Sequence, residues 1–150
     1  MGRLRLLTAR GFLIPVVVGV LLAAGVAVLG KFTRFDQDRS FYSTVLVIVA
    51  SYYVLFAVLG GSGQTLVKEL VVAVGFSTVA ITGALYLPTL VGIGIAAHGV
   101  FDLVHDILIE NSGVPSWWPS FCGSIDVVLG LWVVCLPAQD SHRALRSEKR

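Results

Sequence analysis

Residues 97–126 read AHGVFDLVHDILIENSGVPSWWPSFCGSID, and the rest of the chain is organised around this stretch. Its first apolar segment carries three ionisable groups at positions i, i+4 and i+7, namely His98, Asp102 and His105. Its second apolar segment carries Cys122 and Asp126 at i and i+4. Helical spacing places each set on one face of its helix. Because ionisable side chains are costly at membrane depth and mark functional sites there by default, we expect the function to reside in this stretch.

The composition is that of an integral membrane protein. The chain has 150 residues, of which 56% are hydrophobic and 13% are charged, and its mean hydropathy is +0.87. Soluble domains carry a smaller apolar share. The net charge is only +2, so we expect no nucleic-acid partner. Cys122 and Cys135 share one apolar segment, about 20 Å apart along a helix, which excludes a disulfide between them within one subunit.

Five apolar segments are each long enough to cross a bilayer, which takes about 20 helical residues. They comprise residues 11–29, 41–59, 66–87, 89–109 and 117–136, and a basic tail follows at 137–150. The first segment follows three arginines, as in a secretory signal, but it is longer than a typical signal core, and we interpret it as a retained span. The sequence therefore predicts an all-α integral membrane bundle of five transmembrane helices in a single domain.

The distribution of basic residues predicts the orientation of the bundle. With five spans, four Lys and Arg residues fall on the side of the N-terminus and seven on the side of the C-terminus. The positive-inside rule then favours an external N-terminus and a cytoplasmic C-terminus in the cell membrane. The loop between the fourth and fifth spans would face outward.

The polar groups of the fourth and fifth spans fall at similar depths. His105, Asp102 and His98 lie roughly 6, 10 and 16 Å from the end of the fourth span. Counted from Trp118 in the fifth span, Cys122 and Asp126 lie at depths of roughly 6 and 12 Å. Because the two helices are antiparallel, we expect these groups to converge near one side of the membrane.

Other polar residues of the second and third spans lie towards the same side of the membrane. Lys68 and Glu69 stand near the start of the third span, and Tyr52 and Tyr53 lie at comparable depth in the second. Glu69 is a secondary candidate for the site.

The first chemistry that fits this constellation is a divalent-metal site. Two imidazoles with one or two carboxylates form a ligand set used by zinc and by non-haem iron. We predict His98, His105 and Asp126 as metal ligands. Asp102 would be a further ligand or would orient a ligating imidazole.

Two other chemistries fit the same residues. Acid-base or nucleophilic catalysis without a metal would place His105 beside Cys122, or pair His98 with Asp126. Asp102 and Cys122 are the predicted catalytic residues. Alternatively, the residues form a structural hydrogen-bond network that fixes the fourth helix against the fifth. The sequence does not decide among the three.

The motif His98-Gly-Val-Phe-Asp102-Leu-Val-His105, with the later Trp-Trp-Pro-Ser-Phe-Cys122-Gly-Ser-Ile-Asp126, resembles that of uncharacterised small bacterial membrane proteins. That resemblance implies a multi-span protein of the bacterial inner membrane. A weaker similarity is to membrane hydrolases of the alkaline ceramidase and progestin-receptor type, which hold zinc through histidines and aspartate inside the membrane. This chain departs from them in having five spans rather than about seven, with its histidines on one helix.

The function predicted from these patterns is that of a membrane protein with an intramembrane His/Asp site, acting as a metal-dependent enzyme on a lipid-like or apolar small molecule. The alternatives are a non-enzymatic accessory or interaction subunit with a structural polar network, and a small oligomeric carrier. Expected partners are the lipid bilayer, a lipid-like molecule, and further copies of the chain or another membrane protein.

Overall fold

The computed structural model describes residues 2–60 and 63–136, and these are almost entirely helical. The helices are α1 (Gly2–Thr33), α2 (Arg39–Gly60), α3 (Gly63–Leu85), α4 (Pro88–Leu108) and α5 (Trp118–Cys135). Each contains a stretch that is long and apolar enough to cross a membrane. The prediction of an all-α protein with five such helices is confirmed. The predicted tail at 137–150 lies outside the described residues.

The reversal between α3 and α4 occupies only two residues. The backbone N–H groups of Tyr86 and Leu87 donate to the carbonyls of Thr82 and Gly83, at 2.9 and 3.1 Å, and so finish α3. Pro88 then begins α4, where its fixed φ suits the first helical turn and its missing N–H costs nothing. A connection this short makes α3 and α4 antiparallel neighbours.

Helices α4 and α5 touch backbone to backbone. A Cβ atom placed on Gly99 would lie 2.8 Å from the carbonyl oxygen of Gly123, which is far inside van der Waals contact. One on Gly130 would lie 2.7 Å from the carbonyl oxygen of Gly92 and would collide with the backbone nitrogen of Ala96. Small residues permit this close approach between helices in membranes, and the approach brings the polar faces of α4 and α5 together.

Helix α4 lies at the centre of the bundle. It packs against α5, α3 and α2, whereas α1 packs chiefly on α5. Leu46, Ile95 and Leu129 form the middle of the apolar core, each no more than 1% exposed. Large apolar side chains cover the outer surfaces of the helices, as contact with the lipid bilayer requires.

Replacing Gly130 with Ala should destabilise the bundle, because the new methyl group has no room between α4 and α5. Overpacking of this kind costs about 1–3 kcal/mol. The measurement is thermal unfolding of the purified protein in detergent. Gly75→Ala is the matched control, since a Cβ there meets nothing within 4 Å and alanine favours a helix more than glycine does. Equal stability of Gly130→Ala and wild type would contradict the close packing described here.

Candidate metal centre between the fourth and fifth helices

A buried hydrogen bond joins α4 to α5 at the centre of the site. Nδ1 of His98 lies 2.8 Å from Oδ2 of Asp126 and 3.7 Å from Oδ1 of Asp102. His98 and Asp126 are 0% exposed and Asp102 is 1% exposed. The structure therefore brings together two residues one helical turn apart on α4 and a third from α5, deep in the bundle.

These three side chains form a group that could hold a metal ion. Each offers one ligand atom, and the three atoms lie within 4.8 Å of one another. Several of their polar atoms have no hydrogen-bond partner among the described residues: Nε2 of His98, both carboxylate oxygens of Asp102, and Oδ1 of Asp126. Buried polar atoms are almost always paired, so orphaned atoms at one place indicate a missing partner such as an ion or a water molecule.

The walls of this centre are a thiol and aromatic rings. Cys122 lies one turn before Asp126 on α5, and its thiol points at Oδ2 of that residue from a distance of 3.8 Å. The Phe76 ring meets the His98 imidazole edge-on, with ring centroids 4.8 Å apart. Tyr53 from α2 is 1% exposed, and its ring lies 6.1 Å from the His98 ring, measured between centroids. Apolar walls exclude water and strengthen electrostatic interactions inside the centre.

His105 takes part in a second buried network rather than in the three-residue group. Its Nε2 lies 2.8 Å from Oε1 of Glu69, which is 0% exposed. The side-chain amide of Asn111 donates to the same Oε1 at 2.9 Å and to the backbone carbonyl of Tyr53 at 3.2 Å. The network thus ties α2, α3 and α4 to the loop before α5.

Asn111 is the residue of this network that sequence reasoning missed, because residues 110–116 were interpreted as a polar loop. Its Oδ1 accepts a hydrogen bond from the backbone N–H of Gly113 at 3.2 Å. An Asn two residues before a Gly is typical of a turn closed by the asparagine side chain. That signal predicts the turn, but it does not predict that the amide nitrogen points into the bundle.

A polar cleft lies beside the second network at the same end of the bundle. It has a volume of about 320 Å³, and its lining includes Lys68, Gln64, Thr65 and Asn111. The Thr65 hydroxyl donates to the backbone carbonyl of Glu110 at 3.0 Å and closes one wall. Lys68 is exposed here.

The charges inside the bundle do not balance. The buried acidic residues of the described chain are Glu69, Asp102 and Asp126, and the buried basic residues are His98 and His105. Even with both imidazoles protonated, one carboxyl group is left without a cationic partner. Asp102 is the natural candidate, since neither of its oxygens has a hydrogen-bond partner within the described chain. An isolated carboxylate is too costly to bury, so this group must keep a proton or face a cation.

The fold and this centre together define a multi-pass membrane protein whose fourth and fifth helices hold a buried cluster of histidine and aspartate. The chain belongs to DUF6010, a family of unknown function, whose sequence pattern matches residues 12–139. The matched range contains every residue of both buried networks. No curated protein and no solved structure matches the chain.

Replacing Asn111 with Ala should lower the stability of the bundle. The change removes the bonds that the amide donates to Glu69 and Tyr53 and the one it accepts from Gly113. Each such hydrogen bond contributes about 0.5–1.5 kcal/mol to stability. Thermal unfolding in detergent measures the loss. Ser112→Ala is the control, because Ser112 is the exposed neighbour in the same loop. A loss of similar size in both variants would show that the loop, and not the amide, is responsible.

Proposed function

We propose that the protein binds a divalent cation, zinc or iron, between α4 and α5 through His98, Asp102 and Asp126, and acts with it on a lipid-like or other apolar small molecule. The observation that carries the proposal is the convergence of three ligand atoms within 4.8 Å in a fully buried place. His105, which the sequence also suggested as a ligand, belongs in this proposal to the separate network with Glu69.

The spacing of the ligand atoms suits a small divalent cation. Zinc binds nitrogen and oxygen at about 2.0–2.2 Å, so tetrahedral ligands lie about 3.3 Å from each other. The distances from Nδ1 of His98 to the two carboxylates, 2.8 and 3.7 Å, fall on either side of that value. Small side-chain movements would bring the three ligand atoms, which lie within 4.8 Å of one another, to that spacing.

The charge of a divalent cation would also compensate for the excess of buried carboxyl groups over buried imidazoles. Two carboxylates and a neutral imidazole carry two negative charges, which a divalent cation cancels. The remaining buried groups, Glu69 and His105, are together neutral when one acidic proton is shared between them. Metal binding would leave the interior neutral, as burial in a low-dielectric surrounding demands.

Three protein ligands leave a coordination position free, which is the arrangement of catalytic rather than structural zinc sites. The cation would supply Lewis-acid activation of a water molecule or a substrate carbonyl. Cys122, predicted as a catalytic residue, would orient the Asp126 carboxylate through its thiol. Because apolar helices enclose the centre, the proposed substrate is a molecule that reaches it from the lipid.

The predicted orientation would place the centre near the outer face of the membrane, at the end of the bundle formed by the loop between α4 and α5. A reporter fused after Arg150 tests that orientation. A cytoplasmic signal is expected.

The metal test uses elemental analysis of the detergent-purified protein. Wild type is expected to carry about one zinc or iron per chain, and His98→Ala should reduce that content at least about tenfold, because a ligand is lost. Unchanged metal content in His98→Ala would rule out His98 as a ligand.

Two further variants make the assignment specific. Asp126→Asn keeps the size and shape of the side chain but removes its charge, so it should also lose the metal. His105→Gln should keep the metal, because His105 lies outside the ligand group. Added zinc should raise the unfolding temperature of wild type and of His105→Gln, since a ligand that binds only the folded state stabilises it, but not that of Asp126→Asn.

One observation favours a second candidate, a non-enzymatic subunit whose polar network fixes helix packing. The hydrogen bond between His98 and Asp126, at 2.8 Å, directly joins α4 to α5 and gives Nδ1 and Oδ2 a partner within the protein. This candidate predicts no stoichiometric metal in wild type and a lower unfolding temperature for His98→Ala. The same purified samples decide between the two.

A further inference from the structure

The second buried network contains an imidazole that bridges two carboxylates. Nδ1 of His105 lies 3.2 Å from Oδ1 of Asp106, and Nε2 lies 2.8 Å from Oε1 of Glu69. Both distances are within the hydrogen-bond range. Histidine is the side chain that can accept a proton at one nitrogen and release another from the opposite nitrogen.

The two carboxylates differ sharply in their exposure to solvent. The Asp106 side chain is 74% exposed, whereas the side chains of His105 and Glu69 are 0% exposed. Asp106 lies in the last turn of α4, which ends at Leu108. Glu69 lies about 9 Å from the start of α3. The three residues therefore form a continuous hydrogen-bonded path from an exposed end of the bundle to its interior.

The packing around the imidazole holds it in the bridging position. The Tyr53 ring stacks on it with centroids 4.0 Å apart and planes 20° apart. The Phe101 ring contacts it edge-on at 5.4 Å. On the far side, the Asn111 amide fixes Oε1 of Glu69 at 2.9 Å. Both ring nitrogens are therefore held within hydrogen-bond distance of their partners. Proton transfer requires a donor and an acceptor that are already positioned in this way.

We infer that Asp106, His105 and Glu69 form a proton-transfer relay between the exposed end of the bundle and its interior. A proton on Asp106 passes to Nδ1 of His105 while the proton on Nε2 passes to Oε1 of Glu69. Asp106 becomes a carboxylate and Glu69 a carboxylic acid. The ring stays neutral, with its proton moved from Nε2 to Nδ1, and the reverse transfer restores the starting state.

The second carboxyl oxygen of Glu69, Oε2, indicates where the relay ends inside the bundle. Oε2 is buried and has no hydrogen-bond partner within the described part of the chain. The relay leaves the proton on Oε1, and a half-turn of the carboxyl group about its last side-chain bond brings the O–H group to the position of Oε2, where it can be donated to a molecule bound inside. The titratable groups that face His105 are Glu69 from α3, Tyr53 from α2 and Asp106 on its own helix. On helix α5, the Cys122 thiol is directed at Asp126.

The relay shares no residue with the proposed metal centre. It would operate whether or not His98, Asp102 and Asp126 bind a cation. The two proposals can therefore fail separately.

The test is time-resolved infrared spectroscopy of the protein in lipid nanodiscs after light-triggered release of protons from a caged acid. Labelling with ¹³C-glutamate separates the glutamate carboxyl bands from those of aspartate, and Glu69→Gln assigns the band of Glu69. The quantity measured is the rate at which Glu69 takes up a proton. Repeating it after treatment with a chelator should leave the rate unchanged.

Asp106→Asn should slow proton uptake by Glu69 at least about tenfold, because it removes the entry group of a general acid-base step. The Asp106 side chain is largely exposed, so this variant should fold normally. Glu110→Gln is the matched control, an exposed carboxylate at the same end of the bundle, and it should leave the rate unchanged. His105→Gln, where it folds, should slow uptake as Asp106→Asn does.

Three results would overturn the relay. One is a wild-type rate in Asp106→Asn. Another is an equal slowing in Glu110→Gln, which would indicate a general effect of surface charge. The third is a wild-type rate in a folded His105→Gln protein, since glutamine cannot pass a proton from one side to the other.

Discussion

The direct contact of α4 with α5 is the constraint on which the rest of the structure depends. Glycines at the crossing let the two backbones meet, and only at that separation can a side chain as short as Asp126 reach His98. A wider crossing would leave both groups facing apolar atoms. The same contact fixes the level of Cys122 and Asp102, because each lies one turn from a member of that pair. The packing of α4 on α5 thus determines which polar groups of the centre can contact one another.

Burying polar groups in a bundle of this size costs the free energy of removing them from water. The buried polar groups fall into two networks that differ in how many of their atoms have hydrogen-bond partners. In the network of Glu69, His105 and Asn111, most polar atoms have partners. In the cluster of His98, Asp102 and Asp126, several have none among the described residues. A network that is satisfied internally can hold helices in place. One that is left incomplete is suited to receiving something from outside.

The sequence predicts the helices well because the length and hydropathy of each apolar run reflect the thickness of a bilayer. The boundaries differ where polar residues extend a helix beyond its apolar run. The difference is three residues at the start of α3, from Gly63 to Thr65, and nine at the start of α1, which begins at Gly2. Depth along the helix axis also follows from residue counting, and the structure brings His98 and Asp126 to the same level.

Rotation of each helix about its own axis does not follow from residue counting. In a membrane bundle both the inward and the outward faces are apolar, so the pattern of hydrophobic residues hardly distinguishes them. That is why the pairing of His105 with Glu69, rather than with the other ligand candidates, could not be predicted. The inward direction of the Asn111 amide depends on the path of a loop, for which the sequence carries only a turn signal.

The packing of α1 on α5 has a consequence for biosynthesis. The ribosome makes α1 first and α5 last among these helices, so α1 enters the membrane long before its main neighbour exists. The pairs α2 with α3 and α3 with α4 can associate as they emerge, because short connections join them. Helix α1 must remain beside lipid or the insertion machinery until the fifth helix arrives. Closure of the bundle therefore waits for the synthesis of α5, and a chain arrested before α5 leaves α1 without its main neighbour.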